Sequence, residues 1–256
     1  MLKSGFTYDI LFYIKLRAPE EFSQVDVSYV RRNAERILDE VASLAAEAGQ
    51  PMPRLVAVTK SGTDEEVAEL LATGLICEIG ENRTDRFLAR RSLAAALGHT
   101  PRFHLIGSLQ TNKVKTVVGK TDLVQSLDSE RLAAEIDKRA AAAGVETVEC
   151  LLEVNSGREA AKGGVLPEDA EALADAVRAY PHIRLRGVMT MGPVGAETSV
   201  TARCFAETRE LYRRFAAEGR FSGEPILSMG MSGSYRIAIA EGANMVRIGR
   251  AFWIHE

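Results

Sequence analysis

Residues 54–73, RLVAVTKSGTDEEVAELLAT, read as one complete structural unit. Residues 54–60 are a short run of strand formers, Ser61 to Thr63 are small and polar, and 64–73 have helical length and composition. Lys60 stands where strand gives way to helix. Taken alone, such a lysine is a solvated loop residue.

The same alternation runs through the chain. Further strand segments fall at 75–80, 102–107, 122–127, 148–155, 183–189, 225–230 and 244–249. Helical segments lie between them at 84–97, 110–118, 129–143, 168–179, 199–218 and 232–241. An amphipathic helix precedes the first strand: Val30, Ala34, Ile37, Leu38, Val41, Leu44, Ala45 and Ala48 share one face, and Gly49 and Pro51 stop it. Eight strands with intervening helices in roughly 200–250 residues predict a single α/β domain, a (β/α)₈ barrel whose site lies at the C-terminal strand ends. The alternative, a doubly wound open sheet, would carry a GxGxxG turn after its first strand, and Lys60-Ser61-Gly62-Thr63 is not one.

Composition narrows the partners. The 256 residues are 46% hydrophobic and 26% charged, enough apolar material for a substantial core. Net charge is −3, with 32 basic and 35 acidic residues in no long run of either sign, so neither nucleic acid nor a membrane surface is indicated. Cys77, Cys150 and Cys204 are scattered, without metal-ligand spacing, which points to a metal-free protein of the reducing cytoplasm with its cysteines buried. Residues 1–22 carry an apolar patch, Ile10 to Ile14, too short to span a bilayer and unlike a secretory signal; they are set aside as an extension to a barrel over 23–256.

Barrel closure brings the strand ends together. SMGMSGS (228–234) and RIGRA (247–251) place glycines and hydroxyls at the ends of the last two strands, each opening a short helix. Barrels bind phosphate there, since small residues let backbone N–H groups approach the oxygens. Ser232 adds a hydroxyl, and the amides of Gly233, Gly249 and Arg250 line the rest. The bland alternative is that these glycines only make turns. Closure also sets Lys60 beside this cup, and a lysine next to a phosphate site suits pyridoxal 5′-phosphate (PLP), whose aldehyde forms a Schiff base with the amine. Partial burial of Lys60 is expected to favour its neutral form. Arg247 is placed to face the pyridine nitrogen, and because arginine keeps its proton it would weaken the ring as an electron sink.

AVTK (57–60), GEN (80–82), HLIGSLQTNK (104–113), QSLD (125–128), LLEVNSGREAAKGG (151–164), LRGVMTM (185–191) and LSMGMSGSYRIAIAEGANMVRIG (227–249) resemble, in order and spacing, the motifs of the pyridoxal phosphate homeostasis (YggS-like) proteins. The resemblance covers residues 27–252. It implies a TIM barrel like the N-terminal domain of alanine racemase (PLP fold type III) and a Schiff base on Lys60. Asn82 is implied to lie near the ring, Arg247 at the pyridine nitrogen, and Ser232, Gly249 and neighbouring amides at the phosphate. It further implies a carrier or buffer of PLP in vitamin B6 and amino-acid balance, without established catalysis, as a monomer or weak dimer with PLP-requiring apoenzymes as candidate recipients. Three positions depart from the family pattern: Ser234 stands for an Asp, Arg236 for a Glu and Arg250 for a threonine.

The enzyme alternative is a PLP-dependent racemase or related enzyme on the same barrel. Racemisation needs a second acid–base group facing the lysine, and the sequence offers only Tyr235 or a group from a partner subunit. No catalytic residue and no metal ligand is therefore assigned. The other chemistry-bearing residues take structural readings: His104 as a satisfied wall residue, Lys162 as solvated, Asn112 and Lys113 as flanking the next helix, Met189 and Met229 as barrel lining. Residues 86–97 read as a helix with a charged outer face.

Overall fold

The computed structural model describes residues 26–255. Eight strands form where the sequence places them: β1 (Arg54–Val58), β2 (Glu78–Glu81), β3 (Arg102–Leu105), β4 (Leu123–Leu127), β5 (Val148–Val154), β6 (Ile183–Thr190), β7 (Ile226–Ser228) and β8 (Met245–Ile248). Every pairing is parallel and follows chain order, and β1 pairs with β8 to close the barrel. The extension expected over 1–22 lies outside the described residues.

The helices are α1 (Ser28–Glu47), α2 (Asp64–Ala72), α3 (Thr84–Ala96), α4 (Val114–Val117), α5 (Glu130–Ala143), α6 (Ala170–Val177), α7 (Thr198–Ala217) and α8 (Tyr235–Ala240). Among the described residues none is long and apolar enough to cross a membrane. Two boundaries differ from expectation. The strand expected over 75–80 begins only at Glu78, because Gly74 in the left-handed region turns the chain and leaves Leu75 exposed. The helix expected over 110–118 is a 3₁₀ turn, Thr111–Lys113, followed by the single turn α4. Val114, Thr116, Val117 and Val118 are β-branched and poor at propagating a helix, and Gly119 at φ 74° ends it.

Most apolar side chains fill the layer between sheet and helices, where Phe87, Phe205, Phe215 and Phe252 are fully buried. A smaller inner cluster, Val56, Leu123, Leu151, Met189, Ile226 and Met245, plugs the barrel. Met229 belongs to the outer layer, not to the lining expected for it. Strand periodicity then fixes which residues share the inward face with that plug: Val58 on β1, Gln125 on β4, Glu153 on β5, Ser228 on β7 and Arg247 on β8. On β6 the pairing Cys150–Leu185 is followed by Leu151–Gly187, so Arg186 is an extra residue in a bulge. Helix α1 packs over the β1–β8 seam against α2 and α8, and Asn33 Nδ2 donates to the carbonyls of Phe252 (3.1 Å) and Ile254 (2.9 Å).

Candidate functional site

Lys60 sits two residues beyond β1 in a turn closed by Gly62 N–H to the Thr59 carbonyl at 3.2 Å. The turn is held from beneath. Thr59 Oγ1 donates to Glu81 Oε1 (2.5 Å), and Arg90 Nη2 donates to the carbonyls of Gly62 (2.5 Å) and Thr59 (3.4 Å). Thr63 caps α2 reciprocally with Glu66. Burial pushes the Glu81 carboxyl upward in pKa, opposed by the Thr59 hydroxyl and Arg90. The Lys60 side chain itself is exposed, which corrects the expected partial burial: the ammonium stands at the open mouth on a pinned backbone. Arg90 corrects the reading of 86–97 as well, since it is 2% exposed and anchored to Asp64 and the lysine turn. Helical periodicity could have flagged it, because Arg90 lies three positions from the buried Phe87 and Leu93.

The strand register places the other predicted residues. Val58 pairs with Gly80, so Lys60 and Asn82, each two residues further on, reach the same level, and Asn82 is likewise exposed. Gly249 packs on β1 so closely that a Cβ there would lie 3.1 Å from the Val58 Cβ. Its amide donates to Ser232 Oγ at 3.1 Å, joining the turns after β7 and β8. Gly233 is exposed, a Cβ there would meet nothing within 4 Å, and its amide has no acceptor among the described residues. An open amide, a hydroxyl and a glycine approach beside an exposed lysine fit an anionic phosphate with an aldehyde on the same ligand. Arg250 is exposed at the rim. The other two departing residues lie outside this cup: Ser234 Oγ accepts from the Met231 amide at 3.1 Å, and Arg236 turns outward to pair with Glu40 on α1.

Arg247 is 3% exposed and lies below the cup. Its Nη1 donates to Ser228 Oγ (2.5 Å) and its Nη2 to the Thr190 carbonyl (2.8 Å). Burial lowers its pKa to about 10, opposed by the negative charge of Glu153, so it stays charged near neutrality. Ser228 Oγ lies 2.8 Å from Gln125 Oε1, and Gln125 Nε2 lies 2.9 Å from His104 Nδ1. His104 is fully buried, as expected of a wall residue, but not fully satisfied: its Nε2 faces Glu78 Oε2 at 3.3 Å without a hydrogen bond. Desolvation, helped by the nearby cations Arg54 and Arg102, depresses its pKa to about 3. Glu78 is close enough to favour the cation, but Arg54 Nε already occupies its other oxygen at 2.7 Å, and burial prevails.

Sequence reasoning passed over Glu153. It is 3% exposed on the inward face, Oε2 has no hydrogen-bond partner, and burial and Asp128 raise its pKa to about 7 against the pull of Arg247. A charged residue in the otherwise apolar run LLEV was the available signal. Lys162 is not solvated as expected: Nζ donates to the Gly192 carbonyl (3.0 Å) and pairs with Glu159, fastening the loop after β5. Cys77 is exposed, unlike Cys150 and Cys204. A cleft of about 500 Å³ opens on the β2–β3 rim, lined in part by Asn82, Ser108, Gln110 and Lys113. It shares Asn82 with the predicted site but holds neither Lys60 nor the cup.

Residues 33–256 match the family described as alanine racemase, N-terminal domain. A pyridoxal phosphate homeostasis protein of Aquifex aeolicus is 37% identical over 216 residues, 84% of this chain and 92% of that protein. The chain belongs to the pyridoxal phosphate homeostasis protein family. A second member, from Deinococcus radiodurans, is 37% identical over 220 residues, 85% of this chain and 97% of that one. Among solved structures, PipY of Synechococcus elongatus with PLP bound superposes with a TM-score of 0.71 at 28% identity, covering 84% of this chain and all of PipY. Alanine racemase of Clostridium difficile, at 17% identity and TM-score 0.68 over 90% of this chain and 60% of its own, shares the barrel fold.

Proposed function

We propose that this protein binds PLP at the barrel mouth, with Lys60 as its Schiff-base anchor, and carries or buffers the cofactor. The observation that carries the reading is the exposed Lys60, on a turn pinned by Arg90 and Glu81, beside the Ser232–Gly249 cup. Bound PLP supplies an aldehyde that a lysine amine takes up reversibly and a phosphate that anchors separately. Ser232, Gly233, Gly249 and Arg250 would hold the phosphate, Asn82 would flank the ring, and Arg247 would donate toward the pyridine nitrogen without giving up its proton. The exposure of Lys60 suits exchange with solvent, as a carrier requires.

The racemase alternative loses its internal candidate. Tyr235 is buried on α8, and its raised pKa comes from burial and from Glu40 on α1, so its ring belongs to the helix layer and not to the mouth. PLP-requiring apoenzymes of the cytoplasm are the recipients we infer. The test is a spectroscopic PLP titration of the purified protein and of Lys60→Ala. The wild type should develop the visible band of a protein-bound Schiff base and the variant should not. A wild type without the band overturns the reading; rapid deuterium exchange at the α-carbon of amino acids would overturn the carrier role.

A further inference from the structure

The polar groups below Arg247 form a column through the barrel interior that no binding role above accounts for. Three hydrogen bonds have one consistent orientation. Arg247 Nη1–H donates to Ser228 Oγ at 2.5 Å, the serine hydroxyl donates to Gln125 Oε1 at 2.8 Å, and the Gln125 amide donates to His104 Nδ1 at 2.9 Å. The last bond requires the neutral histidine with its proton on Nε2, the atom that faces Glu78 Oε2 at 3.3 Å; Arg54 Nε closes the series at 2.7 Å. A proton on Nδ1 would set two donors against each other. The Glu78 carboxylate beside Nε2 favours the single proton there, and burial with the cations Arg54 and Arg102 keeps a second one off the ring.

The column leaves the guanidinium little freedom. A buried arginine with one flexible contact could swing, but Nη1 and Nη2 are held by partners on two different strands, Ser228 on β7 and Thr190 on β6. Ser228 in turn cannot rotate its hydroxyl without losing Gln125, and Gln125 cannot flip its amide without opposing both neighbours. Orientation fixed at His104 is thus transmitted to Arg247 through residues on four strands, β3, β4, β7 and β8. We propose that Gln125, Ser228 and neutral His104 are positioning residues for Arg247, holding its guanidinium in the single orientation that meets the ligand at the mouth.

This inference rests on the PLP reading, and the experiment separates the two. Gln125→Leu and Ser228→Ala break the column, whereas Ser228→Thr keeps the hydroxyl. PLP dissociation constants and the pH midpoint of the bound chromophore are measured for each, with thermal melts of the apo-proteins. Gln125→Leu and Ser228→Ala should each weaken PLP about fivefold or more, the scale of one lost buried hydrogen bond. Both should move the chromophore midpoint, because ring-nitrogen protonation follows the guanidinium. Ser228→Thr should restore affinity and midpoint to within about twofold of wild type. Weaker binding with an unmoved midpoint would reduce the column to packing and overturn the proposal. A crystal structure of apo Gln125→Leu provides a test independent of PLP: the guanidinium should leave Ser228, and a guanidinium that stays in place also overturns it.

Discussion

Trp253 lies flat against Gly62: a Cβ on that glycine would come within 3.1–3.2 Å of three ring carbons, and the indole Nε1 donates to the Val58 carbonyl at 3.3 Å. The segment after β8 is thereby latched to the turn that carries Lys60. Trp253→Ala removes the latch while leaving every proposed ligand contact in place. It should lower stability by about 1–2 kcal/mol, less than a fully buried Trp deletion because the ring is half-buried. PLP binding should slow measurably in stopped-flow absorbance, since Lys60 would have to be held at binding.

Arg90 supplies the other half of that support. Arg90→Met would leave the carbonyls of Thr59 and Gly62 without their donor and strand Glu81, 3.7 Å away and 1% exposed, without its cation. Removing one partner of a buried charge pair is costly, and a loss of about 3 kcal/mol is expected in urea denaturation. A fall below about 1 kcal/mol would mean that the lysine turn holds itself.

Glu153 should be visible as a pH dependence of stability. Its folded pKa of about 7 lies above the ordinary 4.5, so the folded state binds the extra proton between those values. The stabilisation this represents is full below pH about 4.5 and is lost as pH rises through about 7. Glu153→Gln, which cannot ionise, should therefore gain stability relative to wild type over that interval, by up to about 3 kcal/mol, in melts of the apo-protein at successive pH. Parallel curves for the two proteins would contradict it.

Gly187 tests the bulge on β6. It sits at φ 151°, and a Cβ there would come 1.9 Å from the Ile226 carbonyl oxygen, a backbone atom that cannot move aside. Gly187→Ala should cost at least about 3 kcal/mol or prevent folding, well beyond the 0.5–1 kcal/mol gain usual for Gly-to-Ala in a compatible strand. Circular dichroism and denaturant titration read the effect.

The architecture was legible because its signals are local. Each strand is a short apolar run flanked by helix-length segments, and that period survives whatever the tertiary contacts do. The placement of Lys60, Ser232 and Gly249 at one end of the barrel was legible because strand ends converge in any barrel. Arg90 and Glu153 were not, since both are charged residues whose burial depends on partners far away in sequence: Asp64 and the 59–62 carbonyls for one, Asp128 and Arg247 for the other. The column was hidden for the same reason. Gln125, Ser228 and His104 are ordinary polar residues in three separate strands, and only their common inward facing makes them neighbours. The 110–118 segment misled for a different reason, as its pattern was helical while its β-branched residues were not.

The closure of β1 on β8 carries a consequence for how the protein is made. The proposed anchor lysine follows the first of the described strands, and the glycine cup the last two. A growing chain can complete every other strand pair and still have no place for the phosphate until residues 245–250 emerge. Phosphate anchoring at the proposed cup would therefore come only with barrel closure, after Lys60 has long been in place.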